Sequence, residues 1–141
     1  MGIRAGLCVL GWAAFAPMAA HAQLSDDQAS FDLLVSSAGA TNGGAQNCGG
    51  AAPDIAQHRT VVTRNLKQFA KEFSYKLDQF DTNFAAGQAE GREMMIEMRR
   101  TGVDGCTGVL QGLQAERSAS YEDFKATVAE VADGLPEKQA P

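Results

Sequence analysis

The sequence predicts an all-α fold, either a small helical bundle or a long helical hairpin, with a short N-terminal helix in front and one disulfide. Two observations predict the helices: apolar residues recur with helical period over two long stretches, and strand-like alternation occurs nowhere in the 141 residues. A third predicts the crosslink. Once an N-terminal export segment is set aside, two cysteines remain, Cys48 and Cys106.

Composition bounds the rest. A chain 45% hydrophobic and 21% charged, with formal net charge -5, buries enough for one small domain and is not disordered over most of its length. Its 17 acidic against 12 basic residues, with no basic cluster, argue against nucleic acid, because phosphate binding needs several Lys or Arg on one surface. An anionic membrane surface is disfavoured for the same reason. No segment supplies the roughly 20 uninterrupted apolar residues of a membrane span.

The N-terminus reads as an export signal. Arg4 provides the positive charge, Ala5 to Ala20 is largely apolar, and Ala20-His21-Ala22 puts small residues where a signal peptidase reads, predicting a signal peptide over 1–22 and a single mature helical domain over 23–141. Loss of 1–22 removes Cys8, His21 and Trp12, and leaves His58 as the one mature histidine. The expected location is periplasmic or secreted, an oxidising setting in which Cys48 and Cys106 pair. The loop-entropy account gives such a closure about 4 kcal/mol.

Ser25-Asp26-Asp27-Gln28 has the form of a cap and first turn for a short helix through Ser36, with Phe31, Leu34 and Val35 on its apolar side. Residues 38–52, almost all Gly, Ala, Asn, Gln and Thr around Cys48, read as a flexible Gly-rich connector.

The first long helix is predicted from Pro53 to Phe84. Val62, Leu66, Phe69, Phe73, Leu77, Phe80 and Phe84 step by four, three, four, four, three and four, one stripe close to a coiled-coil seam, and Ile55 and His58 extend it backward. Pro53 suits a first helical turn, where the helix dipole favours Asp54. Ala85-Ala86-Gly87 and Gly91 are the expected point of reversal. Residues 90–100 are helix-prone. Thr101-Gly102 and Asp104-Gly105 then either end a helix or bend it.

A second long helix is read from Val103, Cys106, Leu110, Leu113, Arg117, Tyr121, Phe124, Val128 and Val131, stopped by Gly134-Leu135-Pro136. Its C-terminal half is acidic (Glu116, Glu122, Asp123, Glu130, Asp133). The first helix is basic (Arg59, Arg64, Lys67, Lys71, Lys76), so either the two pair or each presents a polar face to water.

Few residues offer chemistry. Met94, Met95 and Met98 group three thioethers that could hold Cu(I), with His58 as a possible fourth ligand, and a Met and a His on different helices could ligate haem. Methionine at helical spacing is also ordinary core filler, and Cys-x-x-Cys-His is absent. A nucleophile would need a positioned base, and one histidine with both cysteines crosslinked leaves none to spare. The expectation is therefore a non-enzymatic exported protein without a cofactor. It would act through protein–protein contact with a partner or a second copy, in an envelope-assembly, accessory or chaperone-like role; a periplasmic metal- or haem-binding bundle is the alternative. Phe69 and Phe73 are expected in the core. Phe80 and Phe84 are expected at the interaction surface, because a short bundle has difficulty covering the whole stripe.

Overall fold

A computed structural model describes residues 18–134, with side chains from 27 to 131. Most of the expected signal peptide, residues 1–17, lies outside that range. Five helices follow one another: α1 (Met18–Asn47), α2 (Ala52–Phe73), α3 (Phe80–Arg100), α4 (Cys106–Arg117) and α5 (Tyr121–Gly134). No strand occurs among the described residues, so the all-α bundle is as the sequence predicts.

Two helix pairs run parallel, α1 with α3 and α2 with α4. α1 and α3 point the same way, since Ser36 meets Gly87, Ala40 meets Gly91 and Asn47 meets Arg99. α4 runs in the same direction as α2, with Gly50 near Leu110, Asp54 near Arg117 and Asn65 near Ala119 just past its end, and the start of α5 meets the last turn of α2, where Tyr121 reaches Glu72. The Cys48–Cys106 disulfide, with Cα atoms 5.4 Å apart, ties the end of α1 to the start of α4.

Residues 38–52 correct the sequence reading. Instead of a connector, 38–47 are the last turns of α1, and the short helix expected through Ser36 is part of the same 30-residue element. Its glycines are packing positions: a Cβ at Gly39 or Gly43 would overlap the backbone of Phe84 or Gln88, and one at Gly87 or Gly91 would overlap the backbone of Ser36 or Ala40. Mid-helix glycine costs about 0.5–1 kcal/mol relative to Ala. Here it permits backbone contact along the most extensive helix interface among the described residues.

The single helix expected from Pro53 to Phe84 is two helices. Ser74 takes a left-handed conformation (φ 60°), and the Tyr75 amide donates back to the Ala70 carbonyl at 2.9 Å, ending α2 six residues before α3 begins. The stripe runs unbroken across this turn because both flanking helices feed one core of Phe31, Val35, Val62, Leu66, Ala70, Phe80 and Phe84. Tyr75, within the turn, packs against this core, its ring stacked 5.0 Å from Phe31. Gly87 and Gly91, expected to reverse the chain, lie inside α3.

After α3, Gly102 (φ 76°) donates to Arg99 and Val103 to Met98, at 3.2 and 2.8 Å. This pair of bonds is a Schellman stop, so the helix ends there and does not bend. The second long helix also divides, at 118–120. Ser120 and Asp123 then cap α5 reciprocally, the Ser120 amide donating to the Asp123 carboxylate and the Asp123 amide to the Ser120 hydroxyl, at 3.0 and 3.1 Å.

Candidate functional site

The deepest polar feature is built around His58, whose side chain is 0% exposed. The Asn42 amide nitrogen donates to the Ile55 carbonyl and to His58 Nδ1, both at 3.0 Å. With Nδ1 accepting, the ring proton sits on Nε2, which donates to Glu116 Oε2 at 2.7 Å. Glu116 Oε1 accepts from the Thr41 hydroxyl at 3.2 Å. Asn42 Oδ1 accepts from Gln88 at 2.9 Å, so α1, α2, α3 and α4 all contribute. No buried side-chain polar atom among the described residues lacks a partner. Such a satisfied network fixes helix register, since losing one member strands the others. The imidazole has no open nitrogen for a substrate.

Glu116 is the network's outlet, its side chain 40% exposed. It lies in the wall of a cleft of about 680 Å³ between α1, α2, α4 and α5. Leu34 and Ala38 line it from α1, Val62 and Leu66 from α2, Gly112 and Ala115 from α4, and Phe124, Val128 and Val131 from α5. The polar lining is Ser37, Thr41, Asn65, Glu116, Ser118, Asp123 and Thr127. A cleft of this size, apolar with a few converging polar groups, has the proportions of a small-molecule site.

One wall is lightly held. Among the described residues α5 makes its main contact with α2 and touches little else. The Phe124 ring meets Phe69 edge-on at 5.6 Å, Tyr121 donates its hydroxyl proton to Glu72, and Lys125 lies 3.4 Å from the same carboxylate. The Tyr121 hydrogen bond, with the Lys125 charge assisting, holds the Glu72 carboxyl below its ordinary range. Desolvation, followed by the bond to Glu72, pushes the Tyr121 phenol up to about 12.

The charge contrast read from sequence yields pairs between the expected segments with the roles exchanged. The ion pairs from α2 to α4 and α5 use the acids of the basic helix, Asp54 and Glu72, with the bases of the acidic segment, Arg117 and Lys125. Arg59 and Lys67 lie instead over the rings of Phe84 and Phe80, 5.5 and 5.2 Å from the centroids.

The expected interaction surface is corrected outright. Phe80 and Phe84 are 4% and 3% exposed, buried by this chain's own helices, whereas Phe73, expected in the core, is 50% exposed beside the α2–α3 turn. The inversion follows from the break at Ser74, which swings Phe80 and Phe84 back against α1 and leaves Phe73 at a helix end. The methionines do not converge with His58. Met94 points outward at 52% exposure, while the Met95 and Met98 sulfurs crowd Gly105, just before α4. His58 bonds Glu116 near the other end of that helix, ten residues from Cys106 or about 15 Å along the axis.

Asn42, Thr41, Gln88 and Glu116 were not singled out by sequence reasoning. A histidine on an apolar stripe does announce that polar partners must exist, but nothing in the sequence says which. Compared with family models, curated proteins and solved structures, the chain matches none.

Proposed function

We propose that this protein is an exported, non-enzymatic binding protein that acts by contact, holding an apolar partner in the cleft between α1, α2, α4 and α5. One observation carries the reading: the cleft of about 680 Å³ is lined by Leu34, Val62, Leu66, Phe124, Val128 and Val131 and flanked by a helix with few attachments. Lids and ligand walls are drawn from such weakly held elements. The Ala20-His21-Ala22 site and the Cys48–Cys106 crosslink support export. The absence of a free, solvent-reaching base at His58 supports a role without chemistry.

The test is saturable binding of N-phenyl-1-naphthylamine to the purified protein. One site per chain is expected. Ala115→Trp, placed on an exposed position of the cleft wall, should abolish the binding while changing stability by no more than about 0.5 kcal/mol. A chain that never binds the probe, or binds it equally well with Trp at 115, removes the reading.

A further inference from the structure

We propose that the occupant of this cleft is a single-chain amphiphile with a cationic, hydrogen-bond-donating head, its ammonium on Glu116 and its tail along the inner face of α5; the inference rests on the cleft being a binding site. Charge complementarity selects the head. Both charged residues in the lining, Glu116 and Asp123, are acids, and no Lys or Arg lines the cleft among the described residues. The neighbouring bases are turned to other partners: Arg117 to Asp54 and Gln57, Lys125 to Glu72 and Glu122, Arg64 to Asn65.

Glu116 is prepared for this role. Its carboxylate accepts from His58 and from Thr41, which fixes its orientation and uses about half of the roughly four lone-pair positions a carboxylate offers. The side chain is in the cleft lining and 40% exposed, so a donor entering the cleft can use the remaining capacity. His58 is buried and cannot follow a ligand, so the carboxylate is backed by a rigid donor and not by a mobile surface chain. A second acid, Asp123, sits at the α5 end of the lining, where the Ser120 hydroxyl and amide hold its carboxyl below the usual aspartate range.

Geometry selects the tail. From Asp123 to Val131 the lining residues follow one face of α5 for about 12 Å, comparable to an extended alkyl chain of a dozen carbons. Phe124, Val128 and Val131 form this face, with Leu34 and Leu66 also in the lining. The volume of about 680 Å³ is that of a small ligand and not of a docked helix.

The experiment is displacement of bound N-phenyl-1-naphthylamine by amphiphiles of matched length: dodecylammonium, dodecyltrimethylammonium, dodecyl maltoside and dodecanoate, each below its micellar concentration. Dodecylammonium is expected to displace best, about tenfold or more ahead of dodecanoate, as one charge-assisted hydrogen bond requires. The quaternary ion, which cannot donate, should fall between them. Glu116→Gln keeps an acceptor for His58; with displacement read against the variant's own measured affinity for the probe, it should bring the amine and the carboxylate to within about threefold of each other. Equal displacement by all four, a preference for dodecanoate, or an unchanged preference in Glu116→Gln overturns the proposal. So does displacement by an apolar helical peptide when none of the four amphiphiles competes, which assigns the cleft to a polypeptide. In each of these outcomes the probe still binds and the cleft remains a site; failure of the probe itself would count against the cleft reading instead.

Discussion

The two sides of α1 are built by opposite means. Against α3 it presents Gly39 and Gly43 and meets Gly87 and Gly91, so that backbone lies on backbone with no room for a methyl group at these positions. Towards α4 and α5 it presents Leu34, Ser37, Ala38 and Thr41 and meets side chains, a carboxylate and a cleft. Close-packed backbone tolerates no intermediate spacing, because each helix sits at the limit of van der Waals approach. A side-chain interface with a void in it can shift by rotamer changes. The α1–α3 pair is therefore the frame, and the α5 side is where a ligand can be admitted without disturbing it.

That contrast can be broken first at the phenylalanines. Phe84→Ala, at a site 3% exposed in the core shared by α1, α2 and α3, should cost about 3–5 kcal/mol. Phe73→Ala, at 50% exposure, should cost under about 1 kcal/mol. Denaturant melts of the two variants decide it; similar losses would mean that the frame does not include α3 as described. Next in size is Gly91→Ala. On an exposed helix this change stabilises, yet here the added methyl meets Ala40 backbone, which has no rotamer to yield, so a loss of about 1–3 kcal/mol is expected. The matching change on the other side, Gly112→Ala, has only the Thr41 methyl at 3.8 Å before it and should be neutral or mildly stabilising. Melting both variants side by side tests the asymmetry directly, and a neutral Gly91→Ala would dissolve it.

The same contrast explains which parts of the molecule could be read from its sequence. Helices α2 and α3 bury large side chains in the common core, so their stripe of Val62, Leu66, Phe80 and Phe84 is visible as a period. The α1 seam buries hydrogen atoms of glycine, and a face made of Gly, Ala and Asn has the composition of a loop, so 38–47 read as a connector. The α2–α3 turn is hidden for another reason. Ser74 adopts a left-handed conformation without being glycine, and the residues on either side keep the apolar phase. Conversely, the Cys48–Cys106 pair and the start at Pro53 and Asp54 are signalled by the residues themselves, whereas at Gly102 the sequence signals only an interruption and the backbone bonds of Gly102 and Val103 make it a stop. At the site, His58 was visible and its partners were not. Asn42, Gln88 and Glu116 are brought to it by three different helices, and no spacing within any one of them encodes that meeting.

The smallest effect, and the one most specific to the movable side, concerns the attachment of α5 at Glu72. The Glu72 carboxyl is lowered first by the Tyr121 hydrogen bond and then by Lys125, so its contribution is present above the ordinary carboxylate range and is lost as pH falls through its own depressed value. Tyr121 works in the other direction. Its proton is the one donated to Glu72, and with the phenol raised to about 12 from 10.0 its contribution is complete below 10.0 and is lost as pH rises through about 12. The clamp should therefore hold over the whole neutral range and open only at the extremes. In a Tyr75→Phe background, Tyr121 is the one tyrosine left, and its phenolate absorbance should titrate near 12. Adding Glu72→Gln should move that titration back towards 10.0, because the accepting carboxylate and its charge are gone. At neutral pH the same substitution should speed amide exchange in α5 while leaving α1 and α3 unchanged. A Tyr121 that already titrates at its ordinary value in the unsubstituted chain, or exchange that quickens equally in all five helices, would mean that α5 is not separately attached and that the cleft has no movable wall.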